Sequence, residues 1–283
     1  LSVMMLFVFP LPSADFFRSG NFYLGQLPPN VWHNPTVIFV MPFAMLLFFR
    51  SYELLFDKNT QHNKIMFQIA GLIVINALIK PSFLFILLPS VLIFLGYNKL
   101  DPANTHTKSV HFSPYLLGLL FVALEYYVIY LLNYTNSAAN SIAQGNGHSS
   151  VILAPFEVWG SFSNDFLIAM GTSLFFPLIY FLFAKSSLLK SKLTQFAIVN
   201  FIIALGIWVL FAEEGERKFH ANFLWQVVIA TYFLFFSFLL HSLKNFELGS
   251  FNRKTITIIG GAFLLHFIWG VVYWIRTINS GYY

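Results

Sequence analysis

Ionisable side chains are most concentrated in one short segment, 213–220, which lies between two apolar stretches. Arg217 and His220 are candidate ligands for a phosphate, because a guanidinium fork meets two phosphate oxygens at once. Glu214 and Glu216 are candidate catalytic bases for an attacking hydroxyl, and a carboxylate here could also hold a metal ion or a sugar hydroxyl. A solvated connecting loop is the structural alternative.

Five further residues extend this candidate site. Asp15 is the first choice for a catalytic base, and Trp32 and His33 stand just before an apolar stretch, where they could bind a sugar or a lipid. Lys80 interrupts another apolar stretch and could hold a lipid phosphate, and Glu157 lies in an apolar part of a long loop. Structural alternatives exist as well. Asp15 could be a solvated acid and Trp32 an interfacial aromatic residue. Lys80 could simply extend to the membrane surface, and Glu157 could be a peripheral carboxylate.

Two ionisable residues, Glu125 and His266, fall near the middle of apolar stretches. An ionisable side chain inside a membrane segment is a functional candidate by default, for example in a proton relay. The alternative is a structural polar contact with a neighbouring helix, with a contribution of about 1 kcal/mol. The sequence leaves both readings open.

The composition decides the class of protein. Of the 283 residues, 58% are hydrophobic and only 10% are charged, and the mean hydropathy is +0.71. A soluble domain carries about 25% charged residues, so a soluble enzyme, a disordered chain and a nucleic-acid-binding domain are excluded. The net charge of +5 then indicates basic loops on one side of a membrane rather than a nucleic-acid partner. The absence of cysteine excludes disulfides and thiolate chemistry.

The apolar pattern predicts an all-α, polytopic membrane helix bundle. We expect one transmembrane domain over 1–283, without a soluble domain, and a first apolar run, 1–12, that is a truncated helix too short to span about 30 Å of hydrocarbon. The stretch 65–97 would form a helix of about 50 Å, so we divide it at Lys80-Pro81. The eight full segments predicted are 36–56, 65–79, 83–97, 114–134, 165–184, 193–211, 223–242 and 255–275.

The basic residues test this topology. With a hairpin at Lys80, one side of the membrane carries eleven of the sixteen: Arg50, Lys58, Lys64, Lys99, Lys108, Lys185, Lys190, Lys192, Lys244, Arg253 and Lys254. The other side carries Arg18, Lys80, Arg217, Lys218 and Arg276. The more basic side is cytoplasmic by the positive-inside rule. The candidate site residues therefore belong to the outer side, where the loops are longer and more polar.

Together, Asp15, Gly20-Asn21-Phe22-Tyr23 and Pro28-Pro29 resemble the first outer loop of the GT-C glycosyltransferases, and Lys80-Pro81 is similar to a Lys-Pro pair in several bacterial branches. The resemblance covers about 1–97. It implies transfer from a polyprenyl-phosphate-linked sugar at the outer face of a bacterial cytoplasmic membrane, in cell-envelope polysaccharide synthesis. The implied partners are membrane lipid and the lipid-linked donor. No cofactor is certain, and a divalent metal ion is an open alternative.

Two other classes of function stay open. A transporter or lipid-linked glycan flippase would use Glu125 and His266 at mid-depth, although no inverted repeat is visible in the sequence. A non-catalytic subunit of a membrane complex is the third class. A polysaccharide polymerase or ligase would resemble the transferase, because it also acts on lipid-linked glycans.

Overall fold

The computed structural model of the chain describes residues 2–13, 16–17, 23–32, 34–57, 61–100, 112–132 and 150–280. Within these ranges the chain is almost entirely helical, which confirms the all-α prediction. The helices are α1 (Ser2–Leu6), α2 (Pro35–Phe56), α3 (His62–Ile79), α4 (Leu84–Leu100), α5 (Ser113–Tyr126), α6 (Glu157–Phe162), α7 (Phe166–Ser173), α8 (Phe175–Leu188), α9 (Lys192–Leu210), α10 (Trp225–Glu247) and α11 (Arg253–Ser280). Two strands, β1 (Val151–Leu153) and β2 (Phe211–Glu213), pair with each other.

Six of the described helical segments are long and apolar enough to cross a membrane, and a bent pair of helices would make a seventh. This supports an integral, multi-pass membrane protein, but the predicted number of eight full spans is not supported. The segment Pro81–Tyr97 is apolar but short. At 1.5 Å per residue it is about 26 Å long, less than the roughly 30 Å of a hydrocarbon core.

The chain forms two compact units. Unit 1 comprises Leu1–Ile38, Trp159–Ile202 and Val227–Tyr283, and unit 2 comprises Phe39–Val158 and Ile203–Gln226. Each unit is assembled from segments that are distant in sequence.

In unit 1, α8 packs against α11, and aromatic rings fill the space between them. The ring of Phe176 lies 5.4 Å from that of Phe263, and Phe9 stacks on Tyr273 at 3.9 Å between ring centroids. His266 is fully buried, with its Nδ1 2.7 Å from the Phe9 carbonyl oxygen and its Nε2 accepting from the Phe176 N–H at 3.2 Å. Both ring nitrogens are thus used by the backbone, which favours the structural reading of His266.

The predicted segment 165–184 is helical but consists of two helices, α7 and α8, which meet at an angle of 69°. The polar groups that the break exposes have partners in unit 1. Ser173 Oγ accepts from the Leu27 N–H at 3.0 Å, and the Thr172 carbonyl accepts from the Leu11 N–H at 3.1 Å. Hydrogen bonds of this kind allow a helix to break in an apolar setting.

In unit 2, the predicted break at Lys80 is confirmed: α3 ends at Ile79, Lys80 is extended, and a 3₁₀ turn, Pro81–Phe83, precedes α4. The chain also reverses there. A Cβ on Gly118 of α5 would lie 3.6 Å from the Ile73 side chain and 3.1 Å from that of Leu88. In a straight helix the Cα atoms of Ile73 and Leu88 would be about 22 Å apart. The hairpin therefore packs both of its arms against α5.

Candidate functional site

A two-stranded pairing anchors the charged turn of unit 2. β1 and β2 are antiparallel, with Val151 opposite Glu213 and Leu153 opposite Phe211. Beyond the strands, the Glu214 N–H donates to the Ser150 carbonyl at 2.7 Å. The apolar part of the long loop that contains Glu157 forms β1 and the start of α6. The pairing fixes the direction in which the chain leaves α9.

The turn itself consists of two short 3₁₀ segments, Gly215–His220 and Asn222–Leu224, joined by Ala221. Gly215 has a φ of +74°, which glycine adopts readily. Ala221 has a φ of +56°, a left-handed conformation that is unfavourable for a residue with a Cβ. Its backbone is held there because Ala221 is buried and its carbonyl accepts from the Leu224 N–H at 2.9 Å.

Glu213, the last residue of β2, is the centre of a polar cluster. Its side chain is only 4% exposed. Oε1 accepts from the Tyr130 hydroxyl at 2.7 Å and lies 3.1 Å from Arg217, while Oε2 accepts from the Asn222 amide. Three donors on two parts of the chain thus converge on one carboxylate, as a buried charge requires. The cluster fixes the turn to the π-helical segment Tyr127–Leu132, which continues α5.

A cavity of about 760 Å³ lies next to this cluster, entirely within unit 2. Most of its wall is apolar, and a minority of polar side chains forms the rest. The polar and charged lining residues are Lys80, Ser82, Glu125, Tyr126, Tyr130, Glu213, Arg217, Asn222 and Gln226. The volume and the mixed lining are typical of a site for a small amphiphilic molecule.

Lys80 contributes an ammonium group to this cavity. Its Nζ lies 5.2 Å from the centroid of the Trp225 ring, within the range of a cation–π contact. Burial lowers the pKa of the Lys80 ammonium from its usual value, and the carboxylate of Glu125 opposes part of that effect. From the sequence, Lys80 and Glu125 are separate features at different depths, whereas the structure places both in the lining of one cavity.

Arg217 is the second cation. One guanidinium nitrogen pairs with Glu213, and the side chain remains 43% exposed. A guanidinium has five N–H donors, so a single carboxylate contact leaves capacity to bind an anion. Glu213 holds the Arg217 fork at the cavity wall.

Glu157, Glu214 and His220 are not part of the cavity lining. His220 is exposed, and Glu214 is exposed and accepts a hydrogen bond from the Ser150 hydroxyl. Glu157 is exposed and forms an ion pair with Lys218. The backbone of Glu216 belongs to the 3₁₀ segment Gly215–His220, and its side chain lies outside the description. Among the candidates named from the sequence, the cavity therefore unites Lys80, Arg217 and Glu125.

Three candidates belong to the N-terminal part of the chain. Asp15 and His33 lie outside the described residues. Trp32 lies in unit 1, where its ring is 5.8 Å from that of Phe7. The buried Trp159 donates from its Nε1 to the Gly25 carbonyl at 2.8 Å and packs on Phe166.

Sequence reasoning missed several residues of the site: Glu213, Tyr130, Asn222, Trp225 and Gln226. Glu213 and Tyr130 sit at the ends of apolar stretches, where a polar residue reads as a helix terminus, and no short motif connects them. Among the described residues, no group of three or more His, Cys, Asp or Glu side chains could hold a metal ion.

Comparison with known proteins gives no match: no protein-family model, curated protein or solved structure is similar to this chain.

Proposed function

We propose that this protein is an integral membrane glycosyltransferase that uses a lipid-phosphate-linked sugar. The observation that carries the proposal is the cavity of unit 2, in which a long apolar wall meets two cations and two carboxylates. A lipid-linked sugar has three corresponding parts: an isoprenoid chain that suits the apolar wall, a phosphate that suits the cations, and a polyol that suits the carboxylates. The resemblance of 1–97 to GT-C enzymes supports the same class of substrate.

Lys80 and Arg217 are the proposed phosphate ligands. Both line the cavity, and they reach it from different parts of unit 2, the hairpin turn and the 3₁₀ turn. Negative charge grows on the phosphate as the sugar leaves, so fixed cations stabilise the transition state more than the ground state. Lys80 is held against Trp225, and Arg217 is held by Glu213. These contacts limit how far the two cations must move to reach the transition state.

The proposed reaction is a single displacement with inversion. A carboxylate takes the proton from an acceptor hydroxyl, the hydroxyl oxygen forms a bond to the anomeric carbon, and the bond from that carbon to the phosphate oxygen breaks, with its electron pair leaving on the phosphate. Asp15 is the proposed base from the sequence resemblance, with Glu214 and Glu216 as alternatives. Glu213 is unsuited to this role, because three donors occupy its oxygens.

We further propose that the charged turn faces the outside of a bacterial cytoplasmic membrane and that the product enters a cell-surface glycan. The excess of basic residues on the opposite side supports this orientation. The membrane lipid and the lipid-linked donor are the proposed partners.

A transporter or flippase is the second candidate, and the position of Glu125 in the cavity wall favours it. An acid in a cavity between apolar helices is a common element of a proton-coupled carrier. His266 weighs against a relay through both residues, because its two ring nitrogens are used by the backbone of unit 1.

Single cysteines test ligand binding, since the chain has none of its own. Val122→Cys places a thiol on the cavity wall, and Leu78→Cys is a control at a position that is 75% exposed and not part of the lining. With the protein in lipid nanodiscs, farnesyl phosphate should slow N-ethylmaleimide labelling at 122 but not at 78. Farnesol should protect less, and Lys80→Ala should remove the difference. Equal protection by both lipids would reject phosphate recognition.

Turnover separates the transferase from the flippase. The protein is given farnesyl-phosphate-linked glucose, mannose or galactose together with a membrane lipid extract that supplies acceptors. Release of farnesyl phosphate that depends on Lys80 and Arg217 supports the transferase. Movement of the intact donor across proteoliposomes, without release of farnesyl phosphate, would identify a flippase instead.

A further inference from the structure

Two residues that line the cavity each have one buried side-chain atom without a hydrogen-bond partner among the described residues. These atoms are Oε2 of Glu125 and Nε2 of Gln226. Gln226 is 1% exposed, so its amide is well removed from bulk solvent. A buried polar group without a partner costs about 1–3 kcal/mol, so a ligand in the cavity that reached these two side chains and supplied the missing bonds would be favoured.

The two atoms have opposite roles in hydrogen bonding. A carboxylate oxygen only accepts, and an amide nitrogen only donates. A hydroxyl group does both, so a molecule with several hydroxyls satisfies Glu125 and Gln226 together. A phosphate is a poor ligand for the same pair, because its oxygens would face the Glu125 carboxylate.

Lys80 connects this pair to the proposed phosphate site. Its ammonium lies over the ring of Trp225, the residue next to Gln226, and it interacts electrostatically with Glu125. The two residues proposed to bind hydroxyls therefore belong to the same cavity lining as the cation that would bind phosphate. In a glycosyl phosphate, the hydroxyls of the sugar are similarly close to the charged group.

We propose that Glu125 and Gln226 form a subsite for an uncharged, hydroxylated head group, the sugar of a glycolipid. This inference rests on the proposed function for the identity of the whole ligand. It assigns the two residues to binding and makes no claim on the identity of the base.

The test uses two simple amphiphiles with the same chain, decyl β-glucoside and decyl phosphate. Their dissociation constants are measured by calorimetry with the protein in nanodiscs, below the micellar concentration, with empty nanodiscs as the reference. Glu125→Leu and Gln226→Leu each remove one unpartnered polar atom, and such changes in a buried site are close to neutral for folding. Asn76→Leu, at a buried residue outside the cavity lining, and Glu247→Gln, at an exposed acid, are the matched controls.

We expect each of the two cavity variants to raise the dissociation constant of decyl glucoside at least fivefold. The dissociation constant of decyl phosphate should stay within twofold of the parent value, or fall for Glu125→Leu. The controls should change neither constant. Unchanged glucoside binding in both cavity variants would overturn the subsite, and so would an equal loss for both amphiphiles.

Lys80→Ala separates this inference from the proposed function. If Lys80→Ala weakens the binding of decyl phosphate while decyl glucoside binds the Glu125 and Gln226 variants as tightly as the parent, the subsite is wrong and the phosphate site stands. If decyl glucoside binding depends on Glu125 and Gln226 while Lys80→Ala leaves decyl phosphate binding unchanged, the subsite stands and the proposal of a lipid-phosphate-linked donor is wrong.

Discussion

Replacing Glu213 by Gln should loosen the charged turn from the rest of unit 2. The carboxylate accepts from Tyr130 and Asn222 and pairs with Arg217. Glutamine keeps the shape but has one acceptor oxygen and an amide that donates, so at least one of the three donors loses its acceptor. Hydrogen bonds to a charged group contribute about 1.5–3 kcal/mol.

The expected cost follows from these contacts. The half-exposed Arg217 adds little, because a pair in contact with solvent contributes about 0–1 kcal/mol. The lost bond to Tyr130 or Asn222 dominates, and the total is about 2–3 kcal/mol. Since every 1.4 kcal/mol is a factor of ten, the turn should open about 30–150 times more often.

Hydrogen–deuterium exchange measures this opening directly. The reporters are the amides of Ala154, Phe156 and Glu214, which donate to the chain across the β1–β2 pairing and its ends. Glu214→Gln is the matched control, because Glu214 is an exposed neighbour and its loss should cost about 0.5 kcal/mol or less. An increase below threefold for Glu213→Gln, or equal increases for both variants, would refute the idea that Glu213 holds the turn.

Three further predictions follow from other parts of the chain. Burial lowers the pKa of Lys80, so the affinity for farnesyl phosphate, measured from pH 7.5 upward, should decline as Lys80 loses its proton. The midpoint of the decline should lie below the usual lysine pKa of about 10.5, and Lys80→Arg should shift the decline to higher pH. Gly25→Ala should lower the melting temperature of the protein by several degrees, because the φ of residue 25 is +85° and a Cβ at this position would lie 2.6 Å from a backbone carbonyl oxygen. The control Gly71→Ala, in open space within α3, should have no such cost. A cysteine at Glu157 should react with an impermeant maleimide from outside intact cells and a cysteine at Lys190 should not, and labelling of both from one side would contradict the proposed topology.

The sequence predicted the helical class and the position of the hairpin, because both depend on local signals. Apolar length shows where helices can form, and Lys80-Pro81 supplies a charge and a missing N–H at one point in a long apolar stretch. The charged turn was visible for the same reason. These features need no knowledge of which distant segments meet.

The polar cluster depends on tertiary contacts, which is why the sequence did not predict it. Glu213 has the appearance of a helix-end acid until β1 and Tyr130 are placed beside it. The break between α7 and α8 does have a local signal, because Pro177 has no N–H for the Ser173 carbonyl. Other polar groups at the break are satisfied by Leu11, Leu27 and His266 from elsewhere in unit 1. The count of eight spans is not supported, since Pro81–Tyr97 is short and the pair α7–α8 is bent.

The interleaving of the two units has a consequence for how the protein is made. Every segment of unit 2 has been synthesised once Gln226 is added, whereas unit 1 still lacks Val227–Tyr283, which contains most of α10 and all of α11. The segment around Phe9 is made well before α11, so its carbonyl waits for His266 until α11 has been synthesised. The proposed substrate cavity can therefore mature before unit 1 is complete, and insertion of α11 is the step that completes unit 1.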